Sequence, residues 1–133
     1  MNRLALAFCA IAILLAACSG PRPAAFVFPE VVGVWKLKLV EDIEAGAVPE
    51  PIRRLGVKRA RAGQYEGPGL LVAQVHELTS SAAAFECEQQ WRPVADTVAF
   101  HRGNYFTVVR WKSIDRKAVA EFVREAQKQM GGR

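Results

Sequence analysis

The chain is poor in the residues that carry most protein chemistry. Three Cys and two His in 133 residues are too few for a disulfide-stapled scaffold and a thin supply for a zinc site. The spacings CxxC, HExxH and CxxCH do not occur, which removes the haem-attachment and zinc signatures. Ser80-Ser81 has no GxSxG elbow around it, so it suits a helix cap better than a nucleophile. Ten Gly and seven Pro follow no period, which excludes collagen-like and low-complexity chains. Leu4 to Leu15 is an uninterrupted apolar run of twelve residues. As a helix it would cover about 18 Å, short of a ~30 Å hydrocarbon core.

What is present is an ordinary globular composition with an unusual beginning. Hydrophobic residues make up 51% and charged residues 23%, which argues against disorder, and the length suits one domain. Arg3, the apolar run and the small residues after it read as a secretory signal. Leu15-Ala16-Ala17-Cys18 resembles the bacterial lipobox at each of its positions. That resemblance implies cleavage before Cys18, leaving residues 1–17 as a signal peptide and Cys18 as the lipid-carrying first residue. The implied anchor is a diacylglyceryl group, often with an N-acyl chain, and two or more chains hold a protein firmly at a membrane. Ser19, in place of the Asp that lipoprotein sorting avoids, implies the outer membrane in a Gram-negative cell. With Cys9 removed and Cys18 lipidated, Cys87 is the one thiol left. It is either a small buried hydrophobe or a thiol for a partner. The expected mature chain has 17 basic residues, Arg3 being lost, against 13 acidic, a formal charge of about +4.

Residues 18–25 carry two prolines and a glycine and read as a tether. The folded part is expected over 26–130, with 131–133 as a fraying tail. Val31 to Ile43 alternates, with Trp35, Leu37 and Leu39 opposite Val34, Lys36 and Lys38, which predicts one strand with a solvated face. Pro49 and Pro51 leave room for one helical turn near 50–55. Val57–Tyr65 and Leu70–Leu78 flank Glu66-Gly67-Pro68-Gly69 as a hairpin, and the second strand, apolar on both sides at its start, is expected to be central. A helix follows from a cap at Thr79-Ser80-Ser81 to about Trp91, stopped by Pro93. A second hairpin, 97–101 with 105–111, turns at Arg102-Gly103-Asn104. The last helix, capped by Ser113 or Asp115, carries the stripe Val119, Phe122, Val123, Ala126 and Met130. The order β-β-β-α-β-β-α predicts an α+β fold: an antiparallel sheet of about five strands with two helices packed on one face. Hairpin-then-helix occurs twice, which duplication and convergence explain equally well.

The phrases Tyr65-Glu66-Gly67-Pro68-Gly69, Ala84-Phe85 with Gln89-Gln90-Trp91-Arg92-Pro93, and Gly103-Asn104-Tyr105-Phe106 resemble small exported bacterial proteins of uncharacterised function. That resemblance implies the fold class and the export and brings no activity with it.

Candidate chemistry is sparse. His76 and Glu77 are neighbours on a strand and point to opposite faces, so they do not act as a pair. His76, His101 and Cys87 lie on neighbouring elements and form the one set able to converge as a metal or nucleophile cluster; unrelated histidines and a core cysteine are the simpler reading. Glu41, Asp42 and Glu44, or Glu86 and Glu88, would serve as a glycosidase pair only by facing one cleft, and solvated flanks explain them as well. Arg53, Arg54, Lys58, Arg59 and Arg61 put five cations in nine residues without an acid. They are a protected sheet edge or an anion-binding patch for lipid phosphates, a cell-wall polymer or an acidic envelope protein. If 57–65 is a regular strand, Arg59 and Arg61 share a face with Val57. Tyr65 and Tyr105, near the two hairpin turns, are candidates to line a ligand site at one end of the sheet. The expectation is therefore a non-enzymatic lipoprotein facing the periplasm or the cell exterior. It would be held to membrane lipid through Cys18, without metal, cofactor or nucleic acid. A ligand- or anion-binding module is the alternative, and an enzyme with a histidine acid/base the third reading.

Overall fold

Gly33 turns the chain back on itself. Its φ of +60° is open to glycine at no steric cost, and it lets Val32 pair with Trp35 across a two-residue turn. The expected single strand is therefore a hairpin of β1 (Val31–Val32) and β2 (Trp35–Asp42). This is why the sheet has six strands rather than about five. The computed structural model describes residues 26–131; the expected signal, Cys18, the tether up to residue 25 and residues 132–133 lie outside them. The other strands are β3 (Val57–Glu66), β4 (Leu70–Leu78), β5 (Thr97–Arg102) and β6 (Tyr105–Trp111). All pairings are antiparallel, in the order β1-β2-β3-β4-β6-β5. Strand β4 is central, as its two apolar sides require.

Among the described residues, three α-helices complete the fold: α1 (Glu50–Arg53), α2 (Ser81–Gln90) and α3 (Arg116–Gly131). Ser80 caps α2 through its Oγ, which accepts the Ala83 N–H at 3.1 Å. Asp115 does the same for α3, accepting from the Lys117 N–H at 3.2 Å.

The helices do not share one face. Ala60, Leu78, Phe106 and Val108 pack with Val48, Ile52, Ala84 and Cys87 beneath α1 and α2. Tyr65, Leu71, Ala73, Val75, Phe100 and Val109, carried by β3–β6, pack instead with Phe122 of α3. Side chains alternate across a strand, so these two sets are the opposite faces of one sheet. The sheet curls, and α3 reaches from β5 to β1, where Gln129 Nε2 donates to the Val31 carbonyl at 3.2 Å. Phe122 sits at the centre of this contact, edge-on to Trp35 and Tyr65 at centroid distances of 5.9 and 5.1 Å.

Two bulges reset the alternation. One lies between Leu37 and Leu39 and the other between Val57 and Arg59. Leu39 consequently turns outward, 46% exposed, and Val40 joins the core on the α3 face. Val57 packs on the α2 face, while Arg59 and Arg61 point to the other, against the expectation for a regular strand.

The segment before β1 is strapped across the α3 face. Tyr65 Oη donates to the Pro29 carbonyl at 2.9 Å and Arg61 Nη1 to the Phe26 carbonyl at 3.1 Å. Phe28 is buried directly over Gly63, where an added Cβ would lie 2.5 Å from its ring. Gly63→Ala should therefore overpack the strap and cost about 1–3 kcal/mol in denaturant unfolding. Phe28→Ala alone should cost about 3–5 kcal/mol, and in the double variant the added cost of Gly63→Ala should vanish. Full additivity would show that the two residues do not press on each other. The Thr107 hydroxyl, buried on the same face, has no partner among the described residues. Thr107→Val should be neutral or stabilise by up to about 1 kcal/mol in the same assay.

Candidate functional site

The five-cation run is not one patch. Arg53 pairs with Glu50 within α1, and Arg54 Nη2 donates to Gln90 Oε1 at 3.2 Å. Both belong to the α2 side of the sheet. Lys58 occupies the bulge. Arg61 lies on the opposite face, 3.4 Å from Asp42 Oδ1 and over the Phe28 ring at 5.7 Å, a structural use of its charge. Arg59 stands opposite Glu77 in the register. An anion meeting this segment finds cations facing different ways, most of them already engaged.

Tyr65 and Tyr105 also part. Tyr65 pairs with Leu71 and Tyr105 with Glu77, so about 20 Å of β4 separates them. Tyr65 is 1% exposed and belongs to the core, with its phenol pushed up by burial. Tyr105 is half-buried against Phe26 at a centroid distance of 5.3 Å, and burial with the nearby Glu77 raises its phenol as well.

The three groups best suited to chemistry face the same side of the sheet but serve separate purposes. Cys87 lies on the buried face of α2, and burial followed by the neighbouring Glu86 charge pushes its thiol up to about 11. It is a protonated thiol at neutral pH and a poor nucleophile. His76 is 2% exposed, and its Nδ1–H donates to the Phe106 carbonyl at 3.1 Å. His101 is half-buried beneath the exposed Phe85 ring, and its Nδ1 contacts Glu88 Oε2. That same carboxylate oxygen accepts the His101 backbone N–H at 3.3 Å. Strand β5 is the edge of the sheet, and its outward N–H groups belong to Thr97, Ala99 and His101. The Thr97 N–H is spent on the Val94 carbonyl at 3.2 Å and that of His101 on Glu88. A surface His–Glu pair would interest an enzyme; here it blocks an edge strand against further pairing. Among the described residues, no three His, Cys, Asp or Glu side chains converge on a metal position.

The feature that sequence reasoning missed is a groove of about 630 Å³ between α3 and the segment Pro93–Val98. Its floor and walls are Val94, Val98, Trp111, Val119, Ala120 and Val123, with Arg116 and Arg124 among its polar lining residues. Arg116, Val119, Ala120, Val123 and Arg124 recur at three- and four-residue spacing along one flank of α3, beside the stripe that faces the core. Two local events open the space. Pro93 follows the end of α2, and Asp96 adopts a left-handed conformation (φ 57°) that swings the chain into β5. The signal in the sequence was the width of the α3 apolar stripe, broader than the core alone needs.

Similarity to known proteins was sought among family models, curated proteins and solved structures. None of them matches.

His76 generates a pH prediction. Burial lowers its pKa below the ordinary 6.5, opposed in part by its bond to Phe106. As pH falls, the unfolded chain takes up this proton before the folded one does. The stability linked to neutral His76 is therefore complete above about pH 6.5 and is lost as acidification proceeds below it. The melting temperature should drop between pH 7.5 and 5, and His76→Gln should shrink that drop. An unchanged slope in the variant would remove His76 as its source.

Proposed function

We propose that the chain is a membrane-anchored lipoprotein of the bacterial cell envelope whose folded part works by binding, not by catalysis. The anchoring rests on Leu15-Ala16-Ala17-Cys18 at the end of a twelve-residue apolar run. Cys18 holds the chain to membrane lipid, and 18–25 lifts the domain into the periplasm or the exterior. Among the described residues, no helix is long and apolar enough to cross a membrane.

The groove beside α3 is the observation that favours binding. It is apolar, opens to solvent and falls within the roughly 300–1,000 Å³ of small-molecule sites. The reactive side chains are committed to other tasks: Cys87 to the core, His76 to a buried hydrogen bond, and His101 with Glu88 to the sheet edge. These commitments weigh against the acid/base reading. The dispersal of Arg53, Arg54, Lys58, Arg59 and Arg61 weighs against a polyanion partner on that segment.

Replacing Cys18 with Ala should abolish incorporation of labelled fatty acid and leave an unprocessed precursor, heavier than the mature protein by the signal peptide. Labelling that persists in Cys18→Ala would refute the anchor.

A further inference from the structure

We propose that the groove between α3 and Pro93–Val98 binds the hydrocarbon chain of a single-chain lipid carboxylate, with its head on one of the groove's two arginines, Arg116 or Arg124. This rests on the binding role assigned above and names the ligand class for that site.

Three observations select this occupant. First, the apolar residues form one continuous trough. Val94, itself 54% exposed, faces Val119 and Val123 of α3 across it, and the half-buried Trp111 joins the lining. An apolar trough gains by removing a hydrocarbon chain from water. Second, the cations of the lining are Arg116 and Arg124, eight residues and about 12 Å apart along α3. Neither is in an ion pair within the described residues. A lone guanidinium matches a monoanionic carboxylate and binds it in a two-pronged fashion. The carboxylate in the lining is Asp96, whose carbonyl accepts the Trp111 N–H at 3.1 Å; its charge disfavours a dianionic head nearby. Third, the competing occupant of a groove beside an edge strand is an extended peptide added to the sheet. That mode needs the outward N–H groups of β5, and those of Thr97 and His101 are already bonded to Val94 and Glu88. Two of the three outward N–H groups are spent, which leaves a peptide that of Ala99 alone, and the trough beside the edge is open.

The test uses the full lipidated chain in lipid nanodiscs, exposed to a diazirine-bearing ten-carbon fatty acid and, separately, to the matching alcohol. Photo-adducts are mapped by peptide mass spectrometry. Adducts of the acid should concentrate on residues 93–98, 111 and 116–127. Ala120→Trp, a substitution at an exposed position that fills the trough, should remove them for acid and alcohol alike. Arg116→Gln with Arg124→Gln should reduce adducts of the acid about fivefold, the scale of a partly exposed charge pair, and leave those of the alcohol unchanged. Adducts scattered over the surface, or undiminished in Ala120→Trp, would overturn the trough. Equal loss of acid and alcohol in the arginine variant would overturn the head-group assignment. If Ala120→Trp does not fold, as circular dichroism would show, the arginine variant decides. The intact mass of the same sample reports the Cys18 lipid independently. A chain without it stays in the buffer and is labelled there, so a failed anchor and an empty groove are read apart.

Discussion

Strand β4 presents apolar residues on both of its sides, and the architecture follows from covering both. Leu71, Ala73 and Val75 face one way; His76 and Leu78, near the other end, are buried the other way. A strand of this kind is stable only when each face is removed from water. On one side α2 lies over β4, β5 and β6, with α1 beside it. On the other, α3 and the Phe26–Pro29 strap share the work. The same demand explains the curl of the sheet: a flat six-stranded sheet would expose its margins, whereas a curled one lets a single helix touch β1 and β5 together.

One helix is narrower than the concavity it fills. The strap takes up the space over β3, where Gly63 has no side chain and Phe28 occupies the gap. On the opposite flank no segment among the described residues fills the space between α3 and Pro93–Val98, and the groove remains there. The groove and the strap are thus two outcomes of one geometric mismatch, filled in one place by the chain itself and left open in the other. The strap is part of the core, and Arg61 and Tyr65, holding the Phe26 and Pro29 carbonyls, fix its course across the sheet.

Much of this fold was legible in the sequence, and its failures have identifiable causes. Both long hairpins, the cap at Ser80, the stop near Pro93 and the core stripe of α3 follow from local signals that tertiary contacts did not override. The bulges at Lys38 and Lys58 were not legible, because each shifts a two-residue period by one while leaving composition unchanged. They moved Leu39 outward and set Arg59 and Arg61 against the face that Val57 does not share. The placement of both helices on one face ignored what the apolar run of β4 already implied. The groove residues were visible only as a continuation of a core stripe, since their partners at 93–98 are brought opposite α3 by an irregular segment that has no period. For Tyr65, proximity to a turn suggested exposure, but its register against Leu71 and its bond to Pro29 make it part of the core.

The twofold hairpin-then-helix pattern can be weighed on geometry alone. Strands β4 and β6 are the second strands of their hairpins, and they lie side by side and antiparallel at the centre of the sheet. A rotation that exchanges two antiparallel neighbours has its axis perpendicular to the sheet, and such a rotation keeps every element on its own face. A symmetric pair of repeats would therefore carry α2 and α3 on the same face. They occupy opposite ones, and a phenylalanine on each helix differs accordingly: Phe85 of α2 is 50% exposed and Phe122 of α3 only 2%. The two units are not related by a symmetry of the fold. What each helix covers is decided by which face of β4 still lacked a cover, and the second helix, meeting the concave face, is the one left with an open flank.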